Sequence, residues 1–590
     1  MKKNIVRRPS TLSNNLPDDL HPVLRRIYTS RDVVDANSID KTLQKLLPFH
    51  DLKNIDSAID LLYQSLKHQE KILIIGDFDA DGATSTAVGM KCLQMLGAHN
   101  IDFLVPDRFK YGYGLTPEIV EKAKTEFSPD IIITVDNGIS SIEGVETARS
   151  YNIKVLVTDH HLAGKALPNA HAIVNPNQPG DVFSSKNLAG VGVIFYVMLA
   201  LRSHLREKNW FVEQNIKEPN LATVLDIVAL GTVADVVPLD FNNRVLVNQG
   251  IKRVRAGHAC PGIQALIEVS NRNSTNLVSS DFGFCIGPRL NAAGRLENMS
   301  IGIACLLSTT LQEARNYANE LNSLNLERRS IETQMQGEAL SALEKVTLET
   351  VPSGISIYDS NWHQGVIGIL ASRIKDKFHR PVIVFANGDD QDGEVQLKGS
   401  ARSIKNIHIR DALDHIATKN PGLIHKFGGH AMAAGLTISK SNFELFKLCF
   451  DREIESLLKP EYLEQIVISD GELQQNEFNL PLADLIKNAE PWGQEFPEPI
   501  FDGTFKVMQQ RIVGEKHLKL SLKNQATIEN VDAIAFNVIS PEDQGSPVIT
   551  GGNIQVAYKL DINEFRGKRT LQMIVEYMEP TAEYIESANS

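Results

Sequence analysis

The chain is 590 residues long, with a formal net charge of −12, 42% hydrophobic and 22% charged residues. That length calls for several domains, each able to bury its own core, and the composition is that of a globular protein without low-complexity tracts. The five cysteines (Cys92, Cys260, Cys285, Cys305 and Cys449) lack C-x-x-C spacing. This argues against a disulfide framework or a thiolate zinc site and for a reducing, cytoplasmic setting.

The N-terminus, MKKNIVRRPS, is basic, but no apolar signal region follows it. Residues 1–50 are expected to be irregular, with short amphipathic pieces. From residue 71, apolar runs of strand length alternate with helical patterns: KILIIGD, TAVGMKCLQMLG, IDFLVPD, PEIVEKAKTEF, DIIITVDNG, IEGVETARSY and KVLVTDHH. Short apolar strands separated by amphipathic helices predict βαβ units and a parallel sheet covered on both faces. The run LAGVGVIFYVMLAL, residues 188–201, is shorter than the ~18–20 residues of a membrane span and reads as a buried helix.

Near-helical spacing of Leu311, Ala314, Ala318, Leu321, Leu324, Ile331, Met335 and Leu343 predicts a long connecting helix, continuous or broken once. A second α/β pattern covers 353 to about 455, with GISIYD, GVIGILASRIKDKF, PVIVFA and KFGGHAMAAGLTI. Beyond about 465 the chain is β-rich, and five short strands suggest a small barrel such as an OB-fold, a common oligonucleotide-binding module. The expected divisions are an N-terminal segment 1–50, a parallel-sheet α/β domain 51–300, a connecting helix 301–350, a second α/β domain 351–460 and a barrel 461–590.

The chemistry concentrates at strand ends, where ligands of parallel sheets collect. GDFDADGATST, residues 76–86, crowds Asp77, Asp79 and Asp81 together. Two unit charges about 5 Å apart repel by roughly 3 kcal/mol at an effective dielectric near 20. An EF-hand is rejected, because Val88 stands where the loop needs a bidentate Glu. Helix N-capping by solvated acids is the other plain reading, but Asp136 and Asp159-His160-His161 also follow apolar runs. Carboxylates with imidazoles suit Mn²⁺ or Mg²⁺. So many ligands exceed what one ion needs, and two ions about 3.5–4 Å apart serve hydrolysis at phosphorus.

GDFDADGATS, TVDNG, VTDHH and ALGTVADVVPL resemble, in order, the four signatures of the DHH phosphoesterase superfamily. VPDRFKYGYGL, GPRLNAAGRL, WHQGVIGILASR, KGSARS and FGGHAMAAG extend the resemblance to the RecJ family of bacterial exonucleases, over roughly residues 45–580. The resemblance implies DHH, DHHA1 and OB-fold domains around a central groove, with two Mn²⁺ or Mg²⁺ ions. It implies 5′→3′ degradation of single-stranded DNA to 5′-mononucleotides, in repair and recombination.

Carried over by position, Asp79, Asp81, Asp136, His160 and Asp235 look like metal ligands, with Asp77 as an additional candidate. His161 looks like a further ligand or a contact to the scissile phosphate, and Asp159 would orient an imidazole. Asp226, in LATVLDIVAL, competes for the fourth motif, with a structural hydrogen-bonding role as its alternative. Arg108, Ser400 and Arg402 would form a pocket for the 5′-terminal phosphate, and Arg289 would lie nearer the scissile phosphate. Arg295 is a further phosphate candidate, Tyr113 a base-stacking one, and His430 lies in the DHHA1 signature.

Lys506, Arg511, Lys516, Lys519, Lys559, Arg566, Lys568 and Arg569 supply a local basic surface against the acidic total. PWGQEFPEPIF departs from the family pattern, with GQE where a small-residue G-x-G run is expected. The other readings are a dinucleotide or cyclic-dinucleotide phosphodiesterase, which needs no barrel, and a catalytically inactive DNA-binding scaffold, which would usually lose motif acids. Candidate protein partners are a single-strand binding protein and a helicase; no membrane partner is expected.

Overall fold

The structure is a computed structural model that describes residues 3–9, 15–107, 110–343, 351–391, 394–514, 516–524, 529–539 and 550–581. The chain divides into two compact units. The larger holds Ile5–Gly294, Asn298–Asn322 and Val467–Ser590; the smaller is mainly Ser323–Ile466.

Strand β1 (Lys3–Arg7) pairs with β12 (Gln465–Ser469) in a two-stranded sheet. The main sheet of the larger unit has the order β3-β2-β4-β5-β6 and is parallel throughout. Its strands are β2 (Ile72–Gly76), β3 (Ile101–Leu104), β4 (Ile131–Val135), β5 (Lys154–Thr158) and β6 (Ala172–Val174). Every residue of β2 and β4 is buried, as a parallel sheet covered on both faces requires. On one face Leu73, Ile132 and Val155 pack with Ile119, Ala123, Val145 and Ala148 of two crossover helices. On the other, Gly89 of the helix Ala80–Met95 lets Ile74 approach; a Cβ there would lie 2.8 Å from its Cδ1. The helix Gly190–Glu207 contains most of the apolar run 188–201 and is largely buried. Among the described residues no helix is long and apolar enough to cross a membrane.

Register then places the site. Gly76 pairs with Val135, and Val135 with Thr158. The next residues of those strands, Asp77, Asp136 and Asp159, therefore emerge along one edge.

The five strands after residue 500 close into a barrel of order β13-β14-β15-β17-β16. They are β13 (Phe501–Val513), β14 (His517–Lys523), β15 (Val531–Ala535), β16 (Asn553–Phe565) and β17 (Lys568–Pro580). Phe501, Phe505, Leu518, Leu520 and Tyr558 fill the interior.

The smaller unit has a mixed sheet of order β10-β11-β9-β8-β7. Its strands are β7 (Ile355–Tyr358), β8 (Val382–Gln391), β9 (Glu394–Arg402), β10 (Lys426–Gly429) and β11 (Ala433–Ser439). The segment KFGGHAMAAGLTI is a hairpin of β10 and β11, turning beyond Gly429 at φ +147°. The helix Leu311–Leu343 runs unbroken for 33 residues and contributes to both units.

Candidate metal centre

Asp79 serves two ends at once. Its Oδ1 accepts from the N–H groups of Asp81 (2.9 Å) and Gly82 (3.0 Å), capping the helix Ala80–Met95. The capping reading is therefore correct for one oxygen of one of the three acids. Asp81 is buried and caps a different helix: its carboxylate accepts from Gly190 N–H (2.6 Å) and Val191 N–H (3.0 Å). The partial positive charge of that helix N-terminus favours the buried carboxylate.

Asp136 leaves β4 at φ +62°, a left-handed conformation in which Asp is several-fold enriched. Gly190 lies against it; a Cβ there would be 2.6 Å from Asp136 Cβ. Asp159 orients its neighbours. Its Oδ1 accepts from His160 N–H (2.7 Å) and His161 N–H (3.1 Å), and from His161 Nδ1 (2.7 Å). Its Oδ2 accepts from Ile139 N–H (2.9 Å). Asp235 stands at the C-terminal end of the helix Leu225–Ala234.

These groups meet. His160 Nε2 is 3.2 Å from Asp136 Oδ1, 3.5 Å from Asp235 Oδ2 and 4.0 Å from Asp81 Oδ2. Three sets of ligand atoms each lie within 4.8 Å of one another: Asp81-His160-Asp235, Asp77-Asp79-Asp136 and Asp136-His160-His161. Asp136 Oδ1, His160 Nε2 and Asp235 Oδ2 are buried and make no hydrogen bond. Buried polar atoms are normally satisfied, so three facing one another call for a cation. Burial, and then the surrounding carboxylates, push Asp81 and Asp136 well above the ordinary carboxylate range. Burial also raises Asp235. Oxygen donors with an imidazole fit Mn²⁺ or Mg²⁺.

Asp226 is also fully buried, but its Oδ2 accepts from Cys260 N–H (2.6 Å) and it joins none of the three sets. The Oδ2 contact matches the hydrogen-bonding alternative for Asp226, while its Oδ1 is buried without a hydrogen bond. Tyr113 is 48% exposed, and its hydroxyl donates to the Asp136 carbonyl (3.2 Å) beside the His161 ring. Arg289 donates to Cys285 O (2.5 Å), Asn322 Oδ1 (3.0 Å) and Val269 O (3.3 Å). Arg108 lies outside the described residues.

Within the smaller unit, Arg402 donates to Ser400 Oγ (3.2 Å) and Ala401 O (2.8 Å). A Cβ on Gly368, in the first turn of the helix Ile367–Phe378, would lie 2.9 Å from Ser400 Oγ and 3.0 Å from Arg402 Nη2. Burial alone lowers the Arg402 pKa, with no carboxylate acting on it. Arg295 donates to Gly365 O (3.1 Å), and His430 is exposed in the β10–β11 turn. Of the barrel cations, Lys519, Lys559 and Arg569 are paired with Asp532, Glu576 and Asp484. Lys506, Arg511, Lys516, Arg566 and Lys568 are exposed.

Sequence reasoning missed Asn137, whose buried side chain donates to Ile75 O (3.1 Å) and Val135 O (2.9 Å) and ties β2 to β4 below the acids. It also missed Gly190, and Asn291, whose Oδ1 accepts from Ala80 N–H (2.8 Å). The places of Asn137 inside TVDNG and of Asn291 inside GPRLNAAGRL could have flagged those two.

Three family models match the chain: the DHH family N-terminal domain over 71–232, the DHHA1 domain over 345–456 and the RecJ OB domain over 469–577. Fold and site thus define a DHH-domain protein that carries a DHHA1 domain and an OB barrel. The chain is 52% identical to the single-stranded-DNA-specific exonuclease RecJ of Escherichia coli K12, over 98% of this chain and 100% of that protein. It is 49% identical to the Haemophilus influenzae protein of the same description, over 99% and 100%. The crystal structure of Thermus thermophilus RecJ in complex with Mn²⁺ aligns with a TM-score of 0.77 at 28% identity, covering 96% of this chain and 77% of that one. The chain belongs to the RecJ family.

Proposed function

We propose that the chain is a cytoplasmic, single-strand-specific 5′→3′ exodeoxyribonuclease that releases 5′-mononucleotides in DNA repair and recombination. The observation that carries this reading is the convergence of Asp136 Oδ1, His160 Nε2 and Asp235 Oδ2, buried and unbonded among further acids. Asp81, His160 and Asp235 would hold one divalent ion, and Asp77, Asp79 and Asp136 a second. Bound Mn²⁺ or Mg²⁺ supplies an activated water and neutralises charge on the phosphate.

The remaining roles belong to the chain. Burial disfavours the His161 cation, but Asp159 outweighs it and lifts the imidazole to about 9. Held by Asp159 at 2.7 Å, His161 serves as a further metal ligand, within the Asp136-His160-His161 set, or as a contact to a scissile phosphate oxygen. Arg289 serves the same phosphate if it releases one of its present acceptors. Ser400 and Arg402 make an anion cradle for a 5′ phosphate, since a partly buried guanidinium without a carboxylate calls for an anion; Arg295 and, from the sequence resemblance alone, Arg108 are further phosphate candidates. Tyr113 stacks on a base, and His430 approaches the strand.

The barrel supplies a strand-binding face. Lys506 stands directly opposite Lys523, and Arg511 opposite Lys519, which Asp532 already pairs; the Lys506–Lys523 opposition is unfavourable unless an anion lies across it. A dinucleotide phosphodiesterase has no use for that face. The domain divisions at 51–300, 301–350, 351–460 and 461–590 belong to the same proposal. So do a helicase and a single-strand binding protein as partners, because an enzyme confined to single strands depends on others to expose them. Five free cysteines suit a reducing compartment.

The test is to incubate 5′-phosphorylated and 3′-blocked oligonucleotides with Mn²⁺ and resolve the products over time. Shortening from the 5′ end, indifferent to the 3′ block, is expected. Shortening from the 3′ end, or cleavage of dinucleotides only, would overturn the proposal.

A further inference from the structure

We infer that Asn291 and Gly294, in the helix Gly287–Leu296, are positioning residues that fix the acid-bearing loop 77–81 for metal binding. This inference rests on the metal-dependent reading above.

The loop between β2 and the helix Ala80–Met95 carries Asp77 and Asp79, and the first turn of that helix carries Asp81. The first N–H groups of any helix lack an intrahelical partner. Asp79 answers those of Asp81 and Gly82. The N–H of Ala80 is answered from more than two hundred positions away, by Asn291 Oδ1 at 2.8 Å. On the other side of Asp79, Gly294 lies against the Phe78 carbonyl so closely that a Cβ would be 1.7 Å from its oxygen. The two contacts bracket Asp79 at residues 78 and 80.

The supporting helix is itself held at the turn before it and at two neighbouring segments. Arg289 reaches from it to Cys285 O, Val269 O and Asn322 Oδ1. GPRLNAAGRL, read from sequence as a pair of phosphate-seeking arginines, thus also contains a rigid backstop for the metal loop. Metal geometry tolerates displacements of only about 0.5 Å, and loss of groups that orient ligands typically costs about 10–100-fold in metal affinity.

The experiment is calorimetric titration of the full chain with Mn²⁺, beside steady-state kinetics on single-stranded DNA. Asn291→Ala should weaken Mn²⁺ binding by about 10–100-fold and lower kcat while KM for DNA stays near wild type. Asn291→Asp keeps an acceptor for Ala80 N–H and should restore most of the affinity. Gly294→Ala drives a Cβ into the Phe78 carbonyl and should do at least as much damage. If Asn291→Ala binds Mn²⁺ as tightly as wild type, or Asn291→Asp is no better than Asn291→Ala, the inference fails while the metal reading stands. A wild-type chain that binds no Mn²⁺ would overturn both.

Discussion

Asp136 shows what a single residue contributes. It is buried, backbone-strained at φ +62°, pressed by Gly190, and leaves Oδ1 unbonded 3.2 Å from His160 Nε2. Asp136→Ala should bring hydrolysis to background while single-stranded DNA still binds, as read by fluorescence anisotropy; near wild-type turnover would remove Asp136 from the site. Asp136→Asn keeps the shape, tolerates the left-handed backbone and removes one of the mutually repelling charges. In chelator its melting temperature should exceed that of wild type, and Mn²⁺ should stabilise it less. Arg402→Ala should leave cleavage of unphosphorylated ends unchanged and erase the preference for phosphorylated ones; an unchanged preference would place the 5′ phosphate elsewhere. Asp77, Asp136 and Asp159 were legible because each closes an apolar run, and Asp79 and Asp81 because they crowd Asp77, whereas Asp235 came from the motif resemblance alone. The double duty of Asp79 and the contacts of Gly190 and Asn291 were not, since contacts between residues so far apart leave no period in the chain.

Among the elements, the parallel sheet was legible for a simple reason: strands buried on both faces read as short uninterrupted apolar runs, as in β2 and β4. The barrel was legible from alternation, and its five strands close as expected. Strand β9, EVQLKGSAR, was missed because its charged and small residues carry no β signal, although seven of its residues pair with β11 and it also pairs with β8. The β10–β11 turn was missed because FGGHAMAAG has glycines throughout. Cross-strand register adds what spacing cannot, the opposition of Arg511 and Lys519. Arg511→Glu shares Lys519 with Asp532, which already pairs it, and should change barrel stability by less than about 1 kcal/mol. The same change should weaken DNA binding and reduce the salt slope by about 0.7 for each phosphate no longer neutralised. Undiminished binding in a salt titration would exclude this face from the strand path.

At the scale of the molecule, the N-terminal segment is the part that sequence reading understood least. The segment holds the helix Pro22–Thr29, one of the short amphipathic pieces expected there, while β1 and its pairing with β12 were not read. Its cations reach segments more than four hundred residues away: Arg31 donates to Asp470 (2.6 and 2.9 Å), Arg7 to Asp502 (2.7 Å) and Lys41 to Glu490 (2.6 Å). Both side chains of the Arg31–Asp470 pair are almost fully buried. No family model that matches the chain begins before residue 71, yet this segment ties the approach to the barrel into the larger unit. Arg31→Ala leaves Asp470 buried with only Arg8 as a cation, at 3.7 Å, and should cost up to about 3 kcal/mol, seen as a lower urea midpoint; an unchanged midpoint would deny the segment its role.

The most direct measurement is anomalous scattering from crystals of the full chain soaked in Mn²⁺. Two peaks about 3.5–4 Å apart, in contact with Asp79, Asp81, Asp136, His160 and Asp235, are the expected result. Density without manganese where those side chains meet, or manganese bound only elsewhere, would contradict it.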